Sequence, residues 1–200
     1  LPWLLNLRER IPRGAWLSER MLGLRADPEL PQWRSDFFGT RAHDVPRADG
    51  AAGEVVLWVD TFNTWFEPEN ARAALAVLQA AGYRVHLARP RDGGRPLCCG
   101  RTFLAAGLAG QAREEVQRLI DVLTPFAARG VPIVGLEPSC LLSLRDEIPA
   151  LVSGEATRAI ASQALLFEEF LAREHAAGRL KLTLKSLVGQ RVLLHGHCHQ

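Results

Sequence analysis

Cysteine is scarce in this chain, which has four in 200 residues. The opening stretch LPWLLNLRER is not arranged as a secretory signal, because its charges follow the apolar part instead of preceding it. Both features argue against a disulfide framework and favour a cytoplasmic location. That location is also compatible with a protein attached peripherally to the inner membrane. In such a compartment free cysteines are either buried fillers or groups used in metal and redox chemistry.

Long apolar runs, a strong net charge and several well-known motifs are also lacking. No apolar run reaches the roughly 18 residues of a membrane-spanning helix. A balance of 24 basic against 22 acidic residues leaves a net charge of +2, which is too small to indicate nucleic acid or a membrane surface as a partner. The motifs G-x-G-x-x-G, G-x-x-x-x-G-K-[ST] and G-x-S-x-G are missing, so nothing indicates a dinucleotide, phosphate or hydrolase site.

Residues 1 to 53 differ in composition from the rest of the chain. Turn-forming clumps such as ERIPRG, DPELPQW and DVPRADGAAG separate short apolar pieces, and we predict an irregular linker or docking segment. Its aromatic residues need a surface, either the following domain or a neighbour; they are Trp3, Trp16, Trp33, Phe37 and Phe38. Because no Met precedes Leu1 and the chain stops at the end of an apolar run, we expect a piece of a larger polypeptide.

From residue 54 onward, short apolar runs alternate with amphipathic segments. The predicted strands are residues 54 to 60, 84 to 88, 131 to 137, 180 to 187 and 191 to 197. The predicted helices are residues 69 to 82, 107 to 130, 138 to 148 and 155 to 178. Strands that alternate with helices of this length pair in parallel, so we predict an α/β domain over residues 54 to 200. It would be an open, mostly parallel, Rossmann-like sheet with helices on both faces.

Polar and sulfur-containing side chains follow the predicted strands. In strand order they are Asp60, Thr61 and Asn63; Cys98 and Cys99; Glu137 and Cys140; and His195, His197, Cys198 and His199. In open α/β sheets the ligand lies beyond the carboxyl ends of the strands. These groups therefore predict one common site at that edge.

Cys98 and Cys99 are adjacent in the stretch RPLCCGRTF. A loop flanked by Pro96 and Gly100 is a poor place to bury two thiols, although the alternative of buried fillers stays open. A permanent disulfide between neighbours would be strained, whereas a redox-labile one is compatible with the sequence. Two thiolates in one pocket repel each other unless a cation is present, so the pair favours metal coordination. Gly100 would let the backbone approach a bulky cofactor.

The other candidate ligands are less specific. Cys140 lies near the start of a predicted helix, where the helix dipole favours a thiolate, but a buried filler is equally compatible with that position. Glu137 is either a ligand that supplies hard oxygen or the residue that closes a strand. In an extended HGHCHQ the three histidines point to one side and Cys198 to the other. Three histidines can bind zinc, although the usual spacing of closed structural zinc sites is absent.

The ordered segments DTFNTWFEPENARAALAVLQAAGYRVHLARP, PLCCGRTFLAAGL, GLEPSCLLSLRDEIPAL and LLHGHCHQ resemble a known family. It is the cysteine-rich CCG domain of heterodisulfide reductases and glycolate oxidase iron-sulfur proteins, in the version at the C-terminus of FAD-linked D-lactate and D-2-hydroxy-acid oxidases. The resemblance covers about residues 54 to 200. It implies that flavin and ferredoxin-like domains of the same polypeptide are the partners, and that residues 1 to 53 join the ferredoxin-like part to this domain.

The resemblance also implies a [4Fe-4S] cluster. Each family copy carries one Cys, then Cys-Cys-Gly, then Cys-x-x-Cys, and two copies follow in tandem. Cys98 and Cys99 match the CCG pair, Cys140 matches the last Cys, and Glu137 stands where the first Cys of Cys-x-x-Cys is expected. The DTFN segment lacks the opening Cys, and Cys198 matches the opening Cys of a second, truncated copy.

A cluster normally takes four thiolates, so the three of the first copy fall short unless Glu137 or Cys198 completes the set. We therefore expect the 200-residue chain alone to carry little or no cluster. The implied function is electron transfer from FAD to an acceptor in a D-2-hydroxy-acid dehydrogenase. The hydride chemistry belongs to the flavin, so no catalytic residue is expected in this chain. The alternatives are a cluster-free scaffold that docks the flavin and ferredoxin-like parts, and a zinc-binding module.

Overall fold

The structure is a computed structural model that describes residues 2 to 27, 30 to 39, 52 to 90, 93 to 193 and 196. Its strands are β1 (Gly53–Trp58), β2 (Tyr83–Leu87), β3 (Ile133–Gly135) and β4 (Ala164–Leu166). They form one sheet in the order β2-β1-β3-β4, and every neighbouring pair is parallel. The predicted open, parallel α/β sheet is confirmed.

The helices of the described ranges, in chain order, are α1 (Pro2–Leu5), α2 (Leu7–Arg10), α3 (Gly14–Leu22), α4 (Thr61–Trp65), α5 (Pro68–Ala80), α6 (Arg101–Ala105), α7 (Ala109–Ala127), α8 (Pro138–Leu141), α9 (Glu147–Leu151), α10 (Glu155–Gln163) and α11 (Phe167–Ala176). A 3₁₀ turn, Leu142–Leu144, follows α8. Among the residues described, none of these helices is both long and apolar enough to cross a bilayer.

The apolar strand β1 lies between β2 and β3 in the sheet. Successive side chains of a strand point to opposite faces, so β1 contributes to the core on both sides of the sheet. Val55 and Leu57 pack with α5 and α11 on one face. Val56 and Trp58 pack with α7 and α10 on the other. All four side chains are at most 1% exposed. The sheet is therefore covered on both faces, as the continuous apolar run of β1 predicts.

The segment before β1 contains the short helices α1, α2 and α3, none of which has a buried residue. Residues 33 to 38 fold back on the domain. The Trp33 and Phe66 rings are 5.1 Å apart, and the Phe37 and Trp65 rings are 4.4 Å apart. Trp16, by contrast, is 59% exposed. The following domain thus supplies a surface for only part of this segment.

The predicted single helix over residues 155 to 178 is wrong. Helix α10 ends at Gln163, and the next three residues form β4, which pairs with β3. Helix α11 then begins, and the Glu169 carboxylate accepts a hydrogen bond from the Leu166 backbone amide at 2.9 Å. Alanine and leucine favour helices in isolation, but pairing with β3 buries Ala164 and Leu166 and decides the conformation here.

The last two predicted strands are also wrong where the structure describes them. Residues 180 to 187 form no strand. Their alternation arises because Leu180 and Leu182 rest on the layer of α5 and α11, while Leu184 is 66% exposed. In the predicted strand 191 to 197, residues 191 to 193 form no strand and are exposed; Leu193 is 98% exposed. Residues 194, 195 and 197 lie outside the described residues.

Candidate functional site

The sheet has a topological switch point between β1 and β3. The connection from β1 to β2 passes through α5 on one face, whereas the connection from β2 to β3 passes through α7 on the other face. In open α/β sheets a crevice forms where connections diverge in this way, beyond the carboxyl ends of the two strands. The segments at this crevice are the start of α4, the loop before α6, and the start of α8.

Three free thiols come together at this crevice. The Sγ atoms of Cys99 and Cys140, which are 41 positions apart in sequence, lie 3.4 Å from each other. Cys99 is 4% exposed and Cys140 is 8% exposed, while Cys98 is only partly buried. The Gly100 amide donates to the Cys98 Sγ at 3.4 Å. The structure thus brings together three of the predicted ligands.

Hydrogen bonds join the three thiols in sequence: Cys98 donates to Cys99, which donates to Cys140. The bond to Cys99, and secondly burial, raise the pKa of the Cys98 thiol above its ordinary value. The bond to Cys140, supported by burial, raises the pKa of Cys99 to about 12. Hydrogen bonds from the Gly100 amide and, to a smaller extent, the Thr61 side chain oppose this shift at Cys98 only in part. Both shifts favour the neutral thiol form of Cys98 and Cys99.

Gly100 is required for packing at the start of α6. Its φ of +76° lies in the left-handed region, and a Cβ atom there would come within 2.8 Å of the Ala112 carbonyl oxygen in α7. The glycine therefore lets α7 pass directly behind the cysteine pair. Its predicted approach to a cofactor stays a prediction, since the close contact that the structure shows is with protein backbone.

Glu137 and Asp60 each cap a helix at the crevice. The Glu137 carboxylate accepts from the Ser139 hydroxyl at 2.6 Å and the Ser139 amide at 3.3 Å, which fixes the start of α8. Asp60 is 2% exposed and accepts from the amides of Phe62 at 2.8 Å and Asn63 at 3.1 Å. Burial raises the pKa of Asp60. Both carboxylates have structural partners, and a ligand role for Glu137 stays a prediction.

Arg101 is a site residue that the sequence did not indicate. Its guanidinium donates to the Ser139 carbonyl oxygen at 3.2 Å and forms an ion pair with Glu147 at 3.0 Å. These contacts hold the loop that carries Cys98 and Cys99 against the segment that carries Cys140. The sequence contains no signal for them, because Glu147 is 46 positions away and the two meet only in the folded chain.

A cavity of about 420 Å³ lies at the carboxyl ends of β1 and β2. Aromatic rings of Phe37 and Trp65 line it, together with Arg89 and Leu97. None of the three clustered cysteines is among its lining residues. The thiols are therefore part of the core beside the cavity and do not form a wall of it.

The described residues do not form a complete metal site by themselves. Within those ranges, no group of three or more His, Cys, Asp or Glu is arranged so that it could hold a metal ion. The clustered thiols are one short of the four that a cluster normally takes, and the Cys99 and Cys140 sulfur atoms are hydrogen-bonded to each other. His195, His197, Cys198 and His199 lie outside the described residues, so their predicted zinc or cluster roles stay predictions.

No protein-family model, curated protein or solved structure matches the chain. Fold and site define its class: an open, parallel α/β protein with a buried thiol cluster at the switch point of the sheet.

Proposed function

We propose that this chain is an iron-sulfur electron-transfer domain of an FAD-linked D-2-hydroxy-acid dehydrogenase, of the D-lactate or glycolate type. The observation that supports the proposal is the convergence of Cys98, Cys99 and Cys140, three of the four cysteines of the chain, at the switch point. Buried fillers would not need to meet at the position where open α/β sheets bind their ligands.

The chemistry of the thiol cluster favours a soft metal centre. Thiolate sulfur is the preferred ligand of iron-sulfur clusters, and metal binding deprotonates a thiol even where its pKa is raised. A bound cluster would serve as a one-electron carrier. Cys98, Cys99 and Cys140 would supply three thiolates, and the fourth ligand would be Cys198, Glu137 or a group from another part of the polypeptide.

The oxidation of the hydroxy acid would take place on FAD in another domain of the same polypeptide. The redox chemistry of such an enzyme resides in its cofactors, while the protein positions them. This chain therefore needs no general acid or base of its own. The separation of the thiols from the 420 Å³ cavity is compatible with a role in electron transfer, which requires no substrate pocket next to the cluster.

Anaerobic reconstitution with ferrous iron and sulfide tests the proposal. Because the three clustered thiols are one short of the four that a cluster normally takes, we expect little iron uptake by the chain alone. With a small added thiol as the fourth ligand, we expect uptake of about four irons per chain and visible charge-transfer absorption. The single variants Cys98→Ser, Cys99→Ser and Cys140→Ser should each lose most of this uptake.

Cys198→Ser is the matched control. It should retain uptake in the presence of the added thiol, because that thiol supplies the fourth ligand whether or not Cys198 is present. Iron uptake that is the same in the wild type and in Cys98→Ser, Cys99→Ser and Cys140→Ser would overturn the proposal. So would the absence of iron from the wild type with the added thiol present.

A second candidate function is a cluster-free scaffold that docks the flavin and ferredoxin-like domains. The observation that favours it is the apolar surface of α1 and α3, where Trp3 is 57%, Trp16 59% and Met21 72% exposed. Exposed apolar patches of this kind mark interaction surfaces. This candidate predicts an iron-free protein under both reconstitution conditions, whereas the first predicts iron uptake once the thiol is added.

A further inference from the structure

We propose that Cys99 and Cys140 are a reversible dithiol-disulfide pair, a two-electron redox site that functions without any metal. This inference goes beyond the iron-sulfur proposal, because it requires only the two thiols and their contact. The pair would be a site of oxidation by small hydroperoxides.

The distance between the two sulfur atoms is the first argument. The Sγ atoms lie 3.4 Å apart, and a disulfide bond is about 2.0 Å long, so the atoms must approach by only about 1.4 Å. Cys99 lies in the irregular loop before α6, and Cys140 lies in the first turn of α8. Neither residue lies in a strand, so the two sulfur atoms can approach each other without a change in the sheet.

The chain also favours this pair over the other pairs of clustered thiols. Cys98 and Cys99 are neighbours in sequence, and a disulfide between neighbours closes a strained ring. The Gly100 amide donates a hydrogen bond to the Cys98 Sγ, and Cys98 would have to break this bond to turn towards Cys140. Cys99 is the central thiol of the hydrogen-bonded series, and Cys140 is its acceptor on another element.

The surroundings of the pair determine the class of oxidant. Both residues belong to the apolar core cluster that also contains Trp58, Leu97 and Leu141. Because Cys99 is 4% and Cys140 is 8% exposed, a bulky disulfide cannot come close enough to either sulfur for thiol-disulfide exchange. Hydrogen peroxide is close to water in size and needs no docking surface for a partner protein, so it is the class of oxidant that this burial favours.

The proposed reaction balances with one molecule of peroxide. The sulfur of one thiol attacks a peroxide oxygen, its proton passes to the leaving hydroxide as the O–O bond breaks, and a sulfenic acid and water form. The second thiol attacks the sulfenic sulfur, the S–S bond forms, and a second water leaves. Two thiols are oxidised and hydrogen peroxide is reduced to two waters. A dithiol reductant reverses the step by thiol-disulfide exchange.

Peroxide titration of the reduced chain, in the presence of a metal chelator, tests the inference. We expect one equivalent to remove two free thiols and lower the intact mass by two hydrogens, with Cys99 and Cys140 linked in the peptide map. The loss should be reversed by dithiothreitol. Cys98→Ser and Cys198→Ser should retain the linkage, and Cys99→Ser and Cys140→Ser should each abolish it.

Circular dichroism of each reduced variant establishes that it is folded, and the apolar replacement Cys140→Ala is used if the polar Cys140→Ser fails to fold. A link between Cys98 and Cys99, or oxidation only to sulfinic acid, would overturn the inference. The iron-sulfur proposal and this one fail separately. Iron uptake without disulfide formation refutes only the pair, and disulfide formation without iron uptake refutes only the cluster.

Discussion

Replacement of Gly100 by alanine should destabilise the protein by about 3 kcal/mol in the free energy of unfolding. The φ of +76° accounts for roughly 1 kcal/mol, because a Cβ atom is disfavoured in the left-handed region. The remaining 2 kcal/mol or so comes from overpacking. The new methyl group would lie 2.8 Å from the Ala112 carbonyl oxygen and 3.3 Å from the Val116 Cγ2 atom, so α7 would have to move.

Gly107→Ala is the matched control. Gly107 has nearly the same backbone angle, a φ of +75°, but no atom lies within 4 Å of the position of a Cβ atom. We therefore expect a loss of only about 1 kcal/mol, from the backbone term alone. Urea denaturation of the reduced, chelator-treated variants, followed by circular dichroism, measures the difference. Equal losses for Gly100→Ala and Gly107→Ala would refute the reasoning that α7 packs directly against the cysteine loop.

Two further predictions concern the positions of α11 and α8. Glu174 accepts from the Tyr83 hydroxyl at 2.8 Å and from Arg179 at 2.7 Å, so Glu174→Ala should cost about 2 kcal/mol in urea denaturation. Arg179 lowers the pKa of Glu174 from its ordinary 4.5 to about 2. The stability advantage of the wild type over Glu174→Ala should therefore be complete above about pH 4.5 and shrink as the pH falls towards 2. An advantage that is constant over this range would contradict the pairing. In Gly135→Ala the new Cβ atom would lie 2.7 Å from the Leu141 Cδ1 atom and 3.1 Å from the Leu141 Cβ atom, so α8 should shift. Peroxide should then form the disulfide several-fold more slowly, and an unchanged rate would show that α8 is not positioned by this contact.

The sequence predicted the central strands and the location of the thiol cluster for one physical reason. A continuous apolar run such as β1 can be buried only between two layers of helices. Parallel strands also place all their carboxyl ends at one edge, so the loops that carry Cys99 and Cys140 were expected at the same edge despite their separation in sequence. These features depend on the pattern of residue types and not on individual contacts.

Other features depend on tertiary contacts that the pattern does not contain. The residues of β4 favour a helix locally, and only pairing with β3 makes them a strand. Residues 180 to 187 alternate like a strand because Leu180 and Leu182 rest on a helical layer. The ion pair of Arg101 with Glu147 and the hydrogen-bonded order of the three thiols likewise arise from the folded arrangement.

The central claim is that Cys98, Cys99 and Cys140 form one iron-sulfur ligand set. The most direct test is the iron content of the wild type and of a Cys99→Ser/Cys140→Ser double variant after anaerobic reconstitution with an added small thiol. We expect about four irons per wild-type chain and almost none in the double variant. Equal iron content in the two proteins would contradict it.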